Sequence, residues 1–135
     1  ERSDRMREVR SEIRRIHERV MARERPKDFD AYIRSMEREK VKVVPCINRQ
    51  ERLQGFRFEY KGADLKGSEV HRSMSINGIA RNMNFEKERA QRIARDKSMQ
   101  LMGRTVNVPT GLTKFIVKKA IKLAIRTVRD TGIGI

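Results

Sequence analysis

Five basic residues towards the end of the chain have the spacing expected of a surface that binds a row of phosphates. Lys114, Lys118, Lys122 and Arg126 follow one another at intervals of four, and Arg129 comes three residues later. Residues three and four apart are neighbours on the surface of an α-helix. A helix would therefore align these five side chains in one slanted row, which is called the basic stripe below. Lys and Arg side chains bind nucleic acids by neutralising phosphates and releasing counterions.

The charge of the whole chain indicates the same class of partner. The 135 residues include 33 Lys and Arg but 18 Asp and Glu, which gives a net charge of +15. Such an excess predicts binding to a polyanion. Nucleic acid is the first candidate, and an anionic membrane surface is the second. The stripe itself has two alternatives: a solvated face of a buried helix, or a basic amphipathic helix that binds a membrane surface or another protein.

The residues that usually carry catalysis or bind metals do not form a recognisable set. Two His residues and the single Cys46 are scattered, so no zinc-binding spacing exists. His17 has no second candidate ligand near it in the sequence. The two phenols, Tyr32 and Tyr60, have no cluster of His residues beside them. We therefore expect no enzymatic activity in this chain, no metal and no cofactor. The lone cysteine favours a reducing, cytoplasmic compartment.

The elements that position these residues begin with two helices. Over residues 1–25 the apolar residues recur at intervals of three and four, which predicts an amphipathic helix packed on a core. These residues are Met6, Val9, Ile13, Ile16 and Val20. Pro26 interrupts this pattern. Asp28 is suited to cap a second, short helix that ends near Glu39.

A three-stranded antiparallel arrangement is predicted next. Residues 41–47 form a first strand, and because Pro45 cannot donate a hydrogen bond to a neighbouring strand, this strand lies at the edge of a sheet or stops at Pro45. Residues 53–60 alternate strongly and continue through a tight Lys61-Gly62 turn into a return strand over residues 63–66. Three aromatic residues share one side of the middle strand: Phe56, Phe58 and Tyr60. They are interpreted as the core face of the sheet, and the alternative is an exposed platform on which unpaired bases stack.

The rest of the chain is predicted to be mainly helical. Gly67-Ser68 ends the hairpin, and such a turn before a helix can offer backbone N–H groups to a phosphate. The later elements, in chain order, are a polar helical segment that ends near Asn84, a helix over residues 85–102 that stops at Gly103, an extended segment over residues 106–109, and a helix from Thr110 to about Asp130.

Together these elements predict an α+β fold: a β-hairpin or a small three-stranded antiparallel sheet packed by several helices. Three segments are expected, namely an N-terminal amphipathic helix (1–25), a helix–hairpin–helix core (28–84) and C-terminal basic helices (85–135). No run of 18 apolar residues exists, so no membrane span is expected. No secretory signal peptide is recognised. The chain starts at Glu1 and not at Met, so we expect it to belong to a longer protein.

The middle of the chain resembles a segment that follows the nuclease domain of conjugative relaxases, the proteins that mobilise plasmids. The first part of the resemblance is a short helix followed by an apolar strand, with Phe29, Tyr32, Ile33, Met36, Val41, Val43 and Val44 at the matching positions. The second part is a strand pair and the turn after it, with Gly55-Phe56-Arg57-Phe58, Gly62, Lys66-Gly67-Ser68, Val70 and Arg72. The match covers about 55 residues, less than half of the chain.

The resemblance implies a non-catalytic region of a relaxase, because the family's nucleophilic Tyr and metal-binding His cluster have no counterpart here. We expect such a region to bind DNA, with single strands as the first candidate, during plasmid processing or transfer. The residues expected to hold phosphates are Arg57, Lys61, Lys66, Arg72 and Arg81 near the hairpin, continued by the basic stripe.

The alternative function is a type IV secretion signal that a coupling protein recognises through the apolar faces of the first and last helices. Either function places the protein in the bacterial cytoplasm, and it would also be exported to a recipient cell with the DNA.

Overall fold

The first predicted helix is confirmed as α1, Arg2–Glu24. The structure is a computed structural model that describes the backbone of residues 2–131 and the side chains of residues 3–122 and of Ile125. The apolar residues of α1 lie against the core, and four of them are buried: Val9, Ile13, Ile16 and Val20. Since the apolar stripe is covered, the exposed surface of α1 is its charged face.

The second helix, α2, spans Phe29–Arg38 and begins where the sequence predicts. The Asp28 side chain accepts a hydrogen bond from the backbone N–H of Ala31 at 2.7 Å. This bond satisfies one of the donors that the first turn of a helix leaves unpaired. The buried face of α2 includes Phe29, Tyr32, Ile33 and Met36.

Three antiparallel strands follow in the order β1-β2-β3: β1 is Lys42–Ile47, β2 is Leu53–Tyr60 and β3 is Ala63–Lys66. Pro45 lies in β1 opposite Phe56, and β1 is an edge strand as expected. The turn between β2 and β3 has positive φ at both central residues, Lys61 (48°) and Gly62 (80°). This geometry matches the right-handed twist of the two strands that it joins.

The aromatic side of β2 is part of the core. Phe56 and Phe58 are buried, and Tyr60 is half-buried. The ring centroid of Phe29 lies 5.2 Å from that of Phe56 and 5.5 Å from that of Phe85. The core interpretation of the aromatic residues is therefore confirmed. A platform for stacking bases cannot use Phe56 or Phe58, because solvent does not reach their rings.

The segment after β3 consists of three short helical pieces: α3 (Gly67–Val70), a 3-10 turn (Arg72–Met74) and α4 (Ile76–Asn82). Ser75 caps α4 by accepting a hydrogen bond from the backbone N–H of Gly78 at 3.1 Å. Gly67 packs so closely on the 3-10 turn that a Cβ atom there would lie 2.0 Å from the carbonyl oxygen of Met74. The glycine of the Gly67-Ser68 turn is thus required by packing.

The prediction of one helix over residues 85–102 is wrong. The helix, α5, spans Lys87–Asp96 and ends at Lys97, which adopts a left-handed conformation with φ 54°. A second hairpin follows, with strands β4 (Ser98–Leu101) and β5 (Arg104–Asn107). Its turn residues, Met102 and Gly103, have φ values of 50° and 80°. Gly103 is therefore a hairpin residue and not the end of a helix.

The last helix, α6, spans Thr110–Thr131 and packs against α4 and α5. Its buried positions include Leu112, Ile116 and Ala120. The buried apolar side chains from Val9 to Ala120 form one core cluster. Within the described residues the chain has six α-helices, a three-stranded and a two-stranded antiparallel sheet, so the α+β fold class is confirmed.

Candidate nucleic-acid interface

The described part of the basic stripe is fully open to solvent. Lys114, Lys118 and Lys122 are exposed on the side of α6 that faces away from the core. None of the three forms an ion pair with the acidic residues whose side chains the structure describes. The side chains of Arg126 and Arg129 lie outside the described residues. Three positive charges are therefore available to an external anion along α6.

Two large apolar side chains share this face with the lysines. Ile121 is 39% exposed and Ile125 is 48% exposed. With 3.6 residues per turn, Ile125 lies between Lys114 and Lys118 around the helix axis, and Ile121 lies on the other side of Lys114. This face of α6 therefore carries two kinds of side chain: ammonium groups that can bind phosphates, and exposed branched apolar groups.

Arg81 joins the hairpin side of the molecule to α6. Its guanidinium group lies 4.7 Å from the ring centroid of Phe115, which is a cation–π contact. Because Phe115 follows Lys114 in the sequence, Arg81 sits beside the start of the basic stripe. The structure thus brings this predicted phosphate ligand close to the C-terminal ones.

Arg57 is engaged by an acidic neighbour within the sheet. Its Nε donates to Oδ1 of Asp64 at 2.8 Å, and its Nη2 donates to the backbone oxygen of the same residue at 3.4 Å. The hydrogen bond to the carboxylate raises the pKa of Arg57 above its ordinary value. A phosphate would have to displace Asp64 before it could bind Arg57, so Arg57 is a weaker candidate than the sequence implies.

Lys61 is engaged in a similar way. Its ammonium group lies 3.2 Å from the carboxylate of Glu12 and 5.3 Å from the ring centroid of Tyr60. The Glu12 carboxylate raises the pKa of Lys61. Arg5 also donates a hydrogen bond to the carbonyl oxygen of Lys61 at 2.9 Å. These contacts attach the β2–β3 turn to α1, which gives Lys61 a structural role.

Lys66 and Arg72 are both exposed and, within the part of the chain described with side chains, have no acidic partner. The backbone N–H of Lys66 donates to the Glu69 carboxylate at 2.9 Å. The ammonium group of Lys66 takes no part in this bond. The two residues flank α3 at its start and end. They remain available to a strand of nucleic acid that passes the hairpin.

Sequence reasoning missed a groove that contains both histidines. His17 of α1 and His71, which precedes the 3-10 turn, line one groove of about 690 Å³ together with Lys119 of α6. It is called the histidine groove below. The residues are far apart in the sequence, so His17 looked isolated. A polar residue on the apolar face of α1 was the one signal of this site.

The histidine groove is not a metal centre by composition. No group of three or more His, Cys, Asp or Glu residues that could hold a metal ion occurs among the described residues. Burial lowers the pKa of His17 from 6.5 to about 4, so this ring is neutral at pH 7. The His17 ring is therefore neutral where it lines the groove.

Comparisons with protein-family models, curated proteins and solved structures found no match for this chain. None of the helices that the structure describes has the length and apolar content needed to cross a membrane.

Proposed function

We propose that this chain is a DNA-binding module of a conjugative relaxase, without catalytic activity of its own. The observation that carries the proposal is the row of unpaired lysines on α6: Lys114, Lys118 and Lys122. The net charge of +15 supports a polyanionic ligand. The identification with relaxases rests on the sequence resemblance over residues 29–84.

The geometry of α6 suits a strand that runs along the helix. Successive lysines of the stripe are about 6 Å apart along the axis, since each residue adds 1.5 Å. Ile121 and Ile125, exposed on the same face of α6, are apolar groups that a base can contact once it is unpaired. This combination favours single-stranded DNA over a duplex, in which the bases are stacked inside the helix.

Salt-dependent binding to labelled oligonucleotides tests the proposal. About six phosphate contacts to a single strand predict a slope of log K against log salt near −4, which weakens binding by about two to three orders of magnitude between 50 and 200 mM salt. We expect the single strand to bind more tightly than its duplex at both concentrations. A chain that binds neither form at the lower salt concentration contradicts the proposal.

A protein-interaction module is the second candidate, and the exposed Ile121 and Ile125 favour it. In this case the chain is a secretion signal that a type IV coupling protein recognises. The partner cannot dock on the apolar stripe of α1, because Val9, Ile13 and Ile16 are buried. The exposed isoleucines of α6 are the contact surface that this candidate uses. Replacing both isoleucines by Ser should then abolish capture by the coupling protein, whereas DNA binding should persist with at most a reduced preference for the single strand, because the phosphate contacts of the stripe lysines remain.

A further inference from the structure

The histidine groove is built by four separate parts of the chain. Its walls come from α1, from the 3-10 turn, from the segment between α4 and α5, and from Lys119 of α6. The segment after α4 is held in place by a hydrogen bond from the backbone N–H of Asn84 to the carbonyl oxygen of Pro26 at 3.0 Å. The groove is therefore fixed by the packing of several elements and does not depend on one loop.

His17 lines this groove, and its hydrogen bond to Tyr32 fixes which ring nitrogen carries the proton. Its ring is only 2% exposed, and its Nδ1 lies 2.7 Å from the hydroxyl oxygen of Tyr32. The hydroxyl proton of Tyr32 has no other acceptor among the described residues, so Tyr32 donates and Nδ1 of His17 accepts. The proton of the neutral ring must then sit on Nε2. That nitrogen has no partner in the described part of the protein.

His71 is fixed in the same tautomer by a different set of bonds. Its Nδ1 accepts a hydrogen bond from the backbone N–H of Ser73 at 3.1 Å and lies 2.8 Å from the Ser73 hydroxyl. A ring nitrogen that accepts from a backbone N–H carries no proton itself. The Nε2 of His71 is therefore also an N–H group, and no described residue accepts from it.

The charges around the groove favour an anion. Arg25 and Lys119 line it, and neither has an acidic partner among the side chains described. Arg14 also lines it, and its Nε donates to Glu18 at 2.9 Å, so these two charges largely offset each other. Two free cations and two N–H groups remain for a ligand. Such a set of donors matches the oxygens of a phosphate.

We propose that the histidine groove binds a phosphodiester group of single-stranded DNA through the Nε2–H groups of His17 and His71, with Arg25 and Lys119 beside it. The choice of DNA rests on the proposed function, because Lys119 lies three residues before Lys122 and is its neighbour on α6. A strand bound along the basic stripe can thus enter the groove. The groove gives the module one fixed anion site in addition to the exposed lysines of the basic stripe.

Nuclear magnetic resonance of the two imidazole rings tests this proposal directly. The chain contains only two histidines, so a His71→Gln variant assigns both sets of ring signals. Addition of an oligothymidylate should shift the Nε2–H signals of both rings in a saturable way. Inorganic phosphate at the same phosphate concentration should shift them far less, because it lacks the contacts along α6.

Binding measurements on a double variant provide the second test. Arg25→Gln together with Lys119→Gln removes two cations from the groove without touching the buried His17–Tyr32 pair. We expect about a tenfold or greater loss of affinity for the oligothymidylate, since charge-assisted hydrogen bonds are lost. The matched control is Arg34→Gln with Lys42→Gln, which changes two exposed basic residues outside the groove and the stripe. This control variant should lose clearly less affinity for the oligothymidylate.

The outcomes separate this inference from the proposed function. If the oligonucleotide binds but neither Nε2–H signal moves, or if the groove and control variants lose equal affinity, the groove is not the site and the DNA-binding proposal still stands. If inorganic phosphate shifts both rings as strongly as the oligonucleotide does, the site takes small phosphates and its assignment to DNA is wrong. If the oligonucleotide does not bind at all, both proposals are contradicted.

Discussion

The β2–β3 hairpin and α6 carry the same kind of charge, but the hairpin pairs most of it, with Lys66 as the exception, whereas the described lysines of the α6 stripe are all unpaired. Arg57 is bound by Asp64, and Lys61 reaches the carboxylate of Glu12. On α6 the lysines Lys114, Lys118 and Lys122 face solvent without an acidic partner in the described structure. A basic residue is available to an external anion where the fold keeps carboxylates away from it. Net charge alone does not tell which residues these are.

The two regions also differ in what holds them in place. The hairpin is fixed by buried groups, namely the rings of Phe56 and Phe58 and the close approach of Gly67 to Met74. The exposed half of α6 contributes no buried side chains. Changes at the buried positions of the hairpin region should therefore affect stability, and changes on the stripe should affect binding.

The largest expected effect on stability comes from Gly67→Ala. The added Cβ would lie 2.0 Å from the Met74 carbonyl oxygen and 3.1 Å from the Phe58 ring, so the backbone must move. We expect a loss of about 3 kcal/mol or more in the free energy of unfolding, measured with a chemical denaturant. The matched control is Gly55→Ala, where a Cβ meets nothing within 4 Å. Equal stability of the two variants would show that Gly67 is not required by packing.

Acid should destabilise the protein through His17. Burial lowers its pKa in the folded state from 6.5 to about 4, so between these values the unfolded chain binds more protons than the folded one. Above pH 6.5 the protonation of His17 does not reduce the free energy of unfolding. As the pH drops towards 4, this residue lowers the free energy of unfolding by about 3 kcal/mol.

Thermal unfolding as a function of pH measures this loss. The control is His17→Gln, which removes the titrating ring, and its stability should depend less on pH over the same interval. Identical slopes for the two proteins would mean that His17 is protonated as easily in the folded state as in the unfolded one.

A smaller effect is expected where α4 meets α6. Arg81→Gln removes the cation–π contact with Phe115 and should cost about 0.5–1 kcal/mol of unfolding free energy. A double-mutant cycle with Phe115→Leu isolates the contact, because the second substitution keeps an apolar group on α6. Additive effects of the two changes would rule out an energetic coupling between the residues.

The smallest effect is expected from the exposed charge pairs of the hairpin. Arg57→Gln leaves Asp64 hydrated at the surface, and pairs of this kind contribute little to stability. We expect almost no change in the unfolding midpoint and almost no change in DNA affinity. A clear loss of affinity in a folded Arg57→Gln variant would show that Arg57 contributes to DNA binding and would contradict the contrast between the hairpin and α6.

Local signals in the sequence were sufficient for most of the fold. The Asp28 cap, the alternation around Phe56 and Phe58, and the apolar periodicity of α1 each act over a few residues. The second hairpin was missed because both of its strands have only four residues, whereas the Lys61-Gly62 turn follows the long alternating run of β2. The stretch with Met99 and Leu101 was equally compatible with a helix.

The candidate site was only partly predictable, because part of it depends on contacts between elements that are distant in the sequence. The exposure of the stripe lysines follows from helical periodicity on α6. The pairing of Lys61 with Glu12 and the meeting of His17 with His71 depend on how distant elements pack. No pattern within a single element carries that information.

The most direct test of the account is a comparison of two triple charge reversals in binding to single-stranded DNA. One variant changes Lys114, Lys118 and Lys122 to Glu. The other changes Arg34, Lys42 and Arg49 to Glu. These are three exposed basic residues outside the stripe, so the net charge changes by the same amount. The account predicts that the stripe variant loses about two units of the salt slope and most of its affinity, while the control loses far less. Equal losses would show that only the total charge matters and would contradict a DNA-binding surface on α6.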